Sequence, residues 1–171
     1  MDFARAFAAM PRYAARPTWE NGIRFRSRLE ARWARYFAAA GVPFEYEPDW
    51  FRLESGLCYK PDFWLLLPGG CWAEVKPLPF NRRELAKLRG LTRATRRPAF
   101  LLIGEPAAKE YGRLEWIPPA ERWFYEGGYS LGRGLQAGGW RSGHALVSPD
   151  GRMAPVLAGC RAAARARFAD A

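Results

Sequence analysis

Histidine occurs once in these 171 residues, as His144, and cysteine three times, as Cys58, Cys71 and Cys160. No two cysteines stand as C-x-x-C, so the chain carries no recognisable zinc set. An odd number of thiols also argues against a disulfide framework, and reduced, mostly buried thiols of a cytoplasmic protein are expected. No apolar run approaches the roughly 20 residues needed to span a membrane. The opening stretch, MDFARAFAAMPRYAARP, scatters arginines where a secretory signal would be apolar. Internal repeats, heptads and linker-like segments are missing as well. One domain over residues 1–171 is the simplest expectation, with a core at about 20–104 and a C-terminal elaboration at about 105–171.

Apolar and aromatic residues are plentiful. Hydrophobic residues make up 49% of the chain and aromatics 15%, with eight tryptophans, enough to build a core without covalent staples. Acidic residues are outnumbered 17 to 27 by lysine and arginine, giving a net charge of +10. Such a surplus favours a polyanionic partner, and nucleic acid is the usual one.

The most informative segment runs from Pro61 to Lys76. Asp62-Phe63-Trp64-Leu65-Leu66-Leu67 and Cys71-Trp72-Ala73-Glu74-Val75-Lys76 read as two apolar strands, and Pro68-Gly69-Gly70 between them is turn chemistry. Side chains alternate along a strand, so Glu74 and Lys76 share one face and Ala73 and Val75 the other. A three-residue turn pairs Leu67 with Cys71, Trp64 with Glu74 and Asp62 with Lys76. Asp62 then lies diagonal to Glu74, with backbones roughly 7–8 Å apart. A two-residue turn would slip the register by one and send Asp62 to the wrong face, so an odd-length loop or a bulge is required. Two carboxylates at that spacing can hold one divalent cation, with an ammonium beside it. Their apolar surroundings set them apart from an ordinary solvated ion pair, because buried charge is costly without a partner.

Around this hairpin, Phe25, Leu29, Trp33, Tyr36, Phe37 and Ala40 recur at helical spacing from about Arg24 to a stop at Gly41. Phe44 to Glu47 alternates like a short strand, and Trp50 to Leu57 reads as another with a turn at Ser55-Gly56. Arg82 to Leu91 is predicted as a helix with Leu85 and Leu88 inward. Ala99 to Ile103 is an unbroken apolar run, as expected of a strand buried on both faces. Further on, strands are expected at Arg113 to Ile117 and Arg122 to Tyr125, a loop over residues 127–143, and a helix from Val156 to Phe168. A short helix is also expected within residues 2–16.

The residues YKPDFWLLLPGGCWAEVKP resemble the core of the PD-(D/E)XK nuclease superfamily, in which Pro-Asp is followed after a gap by Asp or Glu, any residue, and Lys. The likeness is to small stand-alone phage and bacterial endonucleases. It implies an α/β fold with an αβββαβ core, a mixed central sheet flanked by helices. It also implies a magnesium- or manganese-dependent nuclease that hydrolyses phosphodiester bonds in DNA, alone, as a homodimer or with a partner protein. Under this resemblance Asp62 and Glu74 bind the metal, helped by the backbone carbonyl of Val75, and Lys76 positions the attacking water or stabilises the developing charge. The stretch FRSRLEARWARYF supplies Glu30 as a further member of the acidic cluster, able to bind the water or a second ion. On the residues alone, Glu30 also fits an exposed i, i+4 pair with Arg26, and Glu20 is its rival for the site.

Lys60 shares the face of Asp62, where it fits a phosphate contact or a surface ion pair equally well. Arg82, Arg83 and Lys87 open the densest basic stretch, which continues through Arg93, Arg96 and Arg97 and suits a phosphate track. Two other functions stay open: a non-catalytic nucleic-acid-binding or assembly subunit that keeps the fold, and a structure-selective junction resolvase.

Overall fold

The computed structural model describes residues 15–77, 82–106, 110–117, 122–130 and 161–168. In chain order these form β1 (Thr18–Glu20), β2 (Ile23–Phe25), α1 (Arg28–Ala40), β3 (Phe44–Tyr46), β4 (Phe51–Arg52), β5 (Cys58–Tyr59) and β6 (Phe63–Leu65). Then follow β7 (Cys71–Lys76), α2 (Arg82–Thr95), β8 (Ala99–Ile103), β9 (Glu110–Ile117) and β10 (Arg122–Ser130). Residues 161–165 add a short helical segment. Six strands make one sheet in the order β10-β9-β8-β7-β6-β3. Strands β7 and β8 run parallel, joined by α2, and the other neighbours are antiparallel. The architecture is a mixed α/β sheet with helices, as expected.

Alternation along the central strands sorts the packing into two clusters. Phe63, Leu65, Cys71, Ala73, Val75, Phe100 and Leu102 face α1, where they meet Ala31, Trp33, Ala34 and Phe37. Trp72, Ala99 and Leu101 face the other way, against Leu88 and Leu91 of α2 and Leu53 and Tyr59 of the small β4–β5 hairpin. Trp64 packs on this second cluster. Asp62, Glu74 and Lys76 are in phase with Trp64 and Trp72, so they belong to the α2 side of the sheet.

Several boundaries differ from expectation. Helix α1 begins at Arg28 rather than Arg24, because Ser27 is its N-cap, with extended backbone and a side chain that accepts the Glu30 amide. The segment Trp50 to Leu57 is not one strand. Its turn lies between β4 and β5, closed by the Gly56 amide donating to the Leu53 carbonyl at 2.8 Å. Helix α2 runs a turn past Leu91, where Thr95 bonds back to the Leu91 carbonyl at 2.8 Å and receives the Trp72 indole N–H at 3.0 Å. Strands β9 and β10 occupy the two places predicted for them, but β10 continues to Ser130 and so takes residues 127–130 from the expected loop. The expected helix within residues 2–16 falls mostly, and the rest of that loop and the start of the C-terminal helix wholly, outside the described residues. Among the described residues no helix is long and apolar enough to cross a membrane.

The hairpin register differs too. Phe63 faces Ala73, Trp64 faces Trp72 and Leu65 faces Cys71, two residues away from the pairing expected from a three-residue turn. The connecting loop is therefore Leu66 to Gly70, five residues and still odd, so every side chain keeps its face. Gly70 has φ +66°, and a Cβ built on it would lie 2.1 Å from the Trp64 ring. Gly70→Ala should therefore cost about 2–4 kcal/mol, a left-handed backbone penalty plus overpacking. Gly56→Ala, at φ +80° with nothing nearby, should lose only about 1–2 kcal/mol. Urea unfolding of both variants checks this; equal losses would show that the Trp64 contact contributes nothing.

Candidate active site

Continuing the β6–β7 register by one residue sets Asp62 directly across from Glu74, closer than the diagonal expected from sequence. Both side chains are buried, at 1% and 5% exposure. The Asp62 amide donates to Glu74 Oε2 at 3.4 Å, and Asp62 Oδ2 accepts the Val75 amide at 2.7 Å. Lys76 Nζ lies 2.6 Å from Glu74 Oε1. The four residues Asp62, Glu74, Val75 and Lys76 thus meet at one place, the carboxyl end of β7. The Val75 peptide faces this place: its amide points at Asp62, whereas the Lys76 carbonyl turns to the opposite edge and accepts from Gly104 at 2.8 Å. In a strand, N–H and C=O of one residue point the same way, so the Val75 carbonyl is directed to the site side.

Glu30 comes from α1. Its carboxylate closes the start of the helix, accepting the Ser27 hydroxyl at 2.8 Å and the Arg26 amide at 3.1 Å, a variant of the capping box. Tyr46 donates its hydroxyl to Glu30 Oε2 at 2.5 Å. The i, i+4 pair with Arg26 is present, but it is long and its glutamate is not exposed. Glu30 is buried, its Oε2 is 4.0 Å from Arg26 Nε, and Arg26 lies before the helix. Glu20, the rival, sits on β1 and pairs bidentately with Arg35 at 2.8 and 3.0 Å.

Arg26 is the residue that sequence reasoning missed. Its guanidinium bonds Asp62 Oδ1 and lies 2.6 Å from Glu47 Oε1. Glu47 Oε2 in turn holds Lys60 Nζ at 3.2 Å. Tyr59 was missed as well; it is buried, and the charge of Glu74 helps to raise its phenol pKa. Four carboxyl groups, those of Glu30, Glu47, Asp62 and Glu74, therefore meet three cationic side chains, Arg26, Lys60 and Lys76. Among the described residues, no three acidic, histidine or cysteine side chains form a preassembled metal cage. Asp62 and Glu74 adjoin, while Glu30 stands on the far side of Arg26.

The electrostatics follow from burial. Asp62 is pushed well above the usual carboxylate range by burial and then by Glu74, with Lys76 and the Val75 amide pulling the other way. Burial opposes the charge of Lys76, but Glu74 and Asp62 together outweigh it and raise the ammonium pKa. Arg26 is likewise disfavoured by burial and more than compensated by Asp62, Glu30 and Glu47. Tyr59 is raised by burial and by Glu74, and Tyr46 by burial and its bond to Glu30, so both phenols stay protonated.

The proposed phosphate-binding residues divide. Lys60 takes the ion-pair alternative, with Glu47, and lies 5.7 Å from the centroid of the Trp50 ring. Arg82 and Arg83 are exposed at the start of α2, and the charge of Glu84 on the same turn reaches Lys76. Arg83 and Lys87 also line a cleft of about 780 Å³ between α2 and the β4–β5 turn, floored by Leu53. Later arginines of the stretch have structural partners: Arg93 bonds Glu54 at 2.8 Å and Arg97 the Gly69 carbonyl at 2.7 Å.

No protein-family model matches the chain, and no curated protein matches it.

A pH dependence follows from Asp62. In chelator, the unfolded chain releases this proton from its ordinary value of 3.8 upward, while the folded chain keeps it to higher pH. Stability should therefore decline as pH rises through that window, because the folded state binds more protons there. Asp62→Asn should remove this part of the decline. Urea titrations between pH 4 and 8 with EDTA measure it, and parallel pH profiles for the two proteins would overturn the assignment.

Proposed function

We propose that this chain is a metal-dependent nuclease of the PD-(D/E)XK type that hydrolyses phosphodiester bonds in DNA. One observation carries the reading: Asp62, Glu74 and Lys76 lie side by side on one sheet face, with both carboxylates buried. Chains without a use for such a pair rarely retain it, since each buried charge costs several kcal/mol unless compensated. With the separate β4–β5 hairpin set aside as an insertion, the order α1-β3-β6-β7-α2-β8 supports the αβββαβ core expected of that superfamily.

The donor set fits a hard divalent ion. Asp62, Glu74 and the Val75 carbonyl are oxygen ligands, the kind that Mg²⁺ and Mn²⁺ prefer, and the local excess of carboxylates calls for added positive charge. Such an ion, when bound, polarises the scissile phosphate and acidifies a water. The protein's own groups do the rest. Lys76, kept charged by Glu74, faces the developing negative charge of the phosphorane and stabilises it. Arg26 is half exposed and presents planar donors that suit a phosphate oxygen once it turns from Asp62. Glu30, tied to Tyr46 and the Ser27 cap, fixes the position of the Arg26 backbone.

A specific observation favours a second reading. Arg26 already neutralises Asp62 from within the protein. A nucleic-acid-binding subunit that never cleaves would keep Arg26 there permanently, in the place of the ion.

Purified protein incubated with plasmid, single-stranded and branched DNA separates these readings. Cleavage should require Mg²⁺ or Mn²⁺ and stop with EDTA, and preferential cutting of the branched substrate would identify a junction resolvase. Asp62→Ala, Glu74→Ala and Lys76→Ala should each lower the rate at least about 100-fold. The two acidic variants should keep or gain DNA affinity at low salt. Wild-type rates in these variants would sink the nuclease reading, and wild-type protein that binds without cutting would favour the second.

The basic face of α2 makes a separate prediction. If Arg82, Arg83 and Lys87 follow the phosphate backbone, log affinity should fall with log salt by roughly 0.9 per duplex phosphate neutralised. Replacing all three with alanine should flatten that slope and weaken every sequence alike, with thermal stability nearly unchanged. An unaltered slope would mean that this charge only solvates the helix.

A further inference from the structure

Trp50 is the most exposed large hydrophobic side chain among the described residues, at 66%. It belongs to neither core cluster. Single exposed aromatics are ordinary on protein surfaces. The surroundings of this one are not. Lys60 places its ammonium 5.7 Å from the ring centroid. The same ammonium is fixed by Glu47, and Glu47 by Arg26, whose guanidinium bonds Asp62. An unbroken chain of contacts therefore leads from an open indole to the buried carboxylate of the candidate site. The backbone beside the ring is stiffened by Pro48 and by the Trp50 amide donating to Asp49 Oδ1 at 3.2 Å.

We propose that Trp50 and Lys60 form a stacking subsite for an unpaired nucleobase, which selects single-stranded or frayed DNA for the neighbouring acidic cluster. The placement at that cluster rests on the nuclease reading above; the base-binding itself does not. Every base has a flat π face, so an exposed indole accepts any of them without reading sequence, and a paired base inside a duplex offers no such face. Lys60, held by Glu47, keeps its ammonium over the indole and adds a cation beside the stacked base. The surplus of positive charge over the whole chain draws the strand in. Trp19 is nearly as exposed, at 59%, but it lies on the β1–β2 hairpin opposite Arg24, away from the Trp50–Lys60–Glu47–Arg26 chain of contacts. It is the natural control.

The test is fluorescence anisotropy of the full chain with labelled oligothymidylate and with duplex of equal length, in EDTA so that nothing is cut. Trp50→Ala should weaken single-strand binding by about 5- to 150-fold, the loss expected for one stacked base. Duplex binding should change far less. Trp50→Phe should keep most of the single-strand affinity, and Trp19→Ala should match the wild type. Unchanged single-strand affinity in Trp50→Ala overturns the proposal, as do equal losses on both DNAs or wild-type protein that does not bind oligothymidylate. The nuclease reading fails separately. A protein that binds single strands through Trp50 yet never cuts with Mg²⁺ upholds the subsite and refutes the nuclease. One that cuts with Mg²⁺ while Trp50→Ala binds normally does the reverse.

Discussion

Trp64 lies straight across from Trp72, ring centroids 4.5 Å apart, with its indole laid over the bare backbone of Gly70. That contact sets the register of β6 against β7, and the register sets the site. A wide five-residue loop lets the two indoles meet, whereas the tighter turn would place Trp64 against Glu74 and leave an aromatic ring over a buried carboxylate. With the rings paired, Asp62 lands beside Glu74 and under the Val75 amide. Aromatic pairs across two strands, here with the rings tilted by 50°, contribute about 0.2–1 kcal/mol beyond an Ala pair, enough to bias one register over its neighbour two residues away. Side-chain parity then does what the turn alone could not.

The arrangement carries a cost, and Arg26 answers it. Asp62 and Glu74 are two acids in one buried place, and Lys76 compensates mainly Glu74. Asp62 receives the Val75 amide and Arg26. Because Arg26 comes from the junction between β2 and α1, its backbone position depends on the Ser27 cap and on Glu30. The helix start and the sheet site are therefore mechanically joined. A ligand that competes for Asp62 must displace a guanidinium still linked to Glu47, and Arg26 can leave Asp62 while keeping that second partner.

The two apolar strands, their shared acidic face and the helix bearing Glu30 were legible from side-chain period alone. So was the buried strand β8, whose unbroken apolar run has one face toward each core cluster. The register was not, since a sequence fixes which face a residue takes more firmly than which residue it meets. Two local signals were present and went unread. Asn21-Gly22 is a two-residue hairpin turn, with φ 49° and 77°, that pairs β1 with β2 and removes Glu20 from any helix. Ser27-x-x-Glu30 marks the true start of α1, which turns Arg26 from a helical neighbour of Glu30 into a free-standing arm. Tyr59 had no local signal. It is brought onto the α2 side of the sheet, where Glu74 also lies, because the β4–β5 hairpin folds over that side, a tertiary event that no window of sequence records.

The site's position in the topology also explains why its neighbours are basic. In α/β sheets, ligands gather beyond the carboxyl ends of parallel strands, where connections diverge and side chains converge. Here β7 and β8 are the parallel pair, and Glu74 and Lys76 close β7 at its carboxyl end. The chain leaves that end and enters α2, so the first residues of the helix return near Lys76, as the influence of Glu84 on its charge requires. Arg82 and Arg83 are thereby exposed within one turn of a helix that starts beside the acidic pair. Negative charge is concentrated inside and positive charge outside, over a short distance. Under the nuclease reading proposed above, the exposed arginines would take the phosphates and the buried acidic pair the cation.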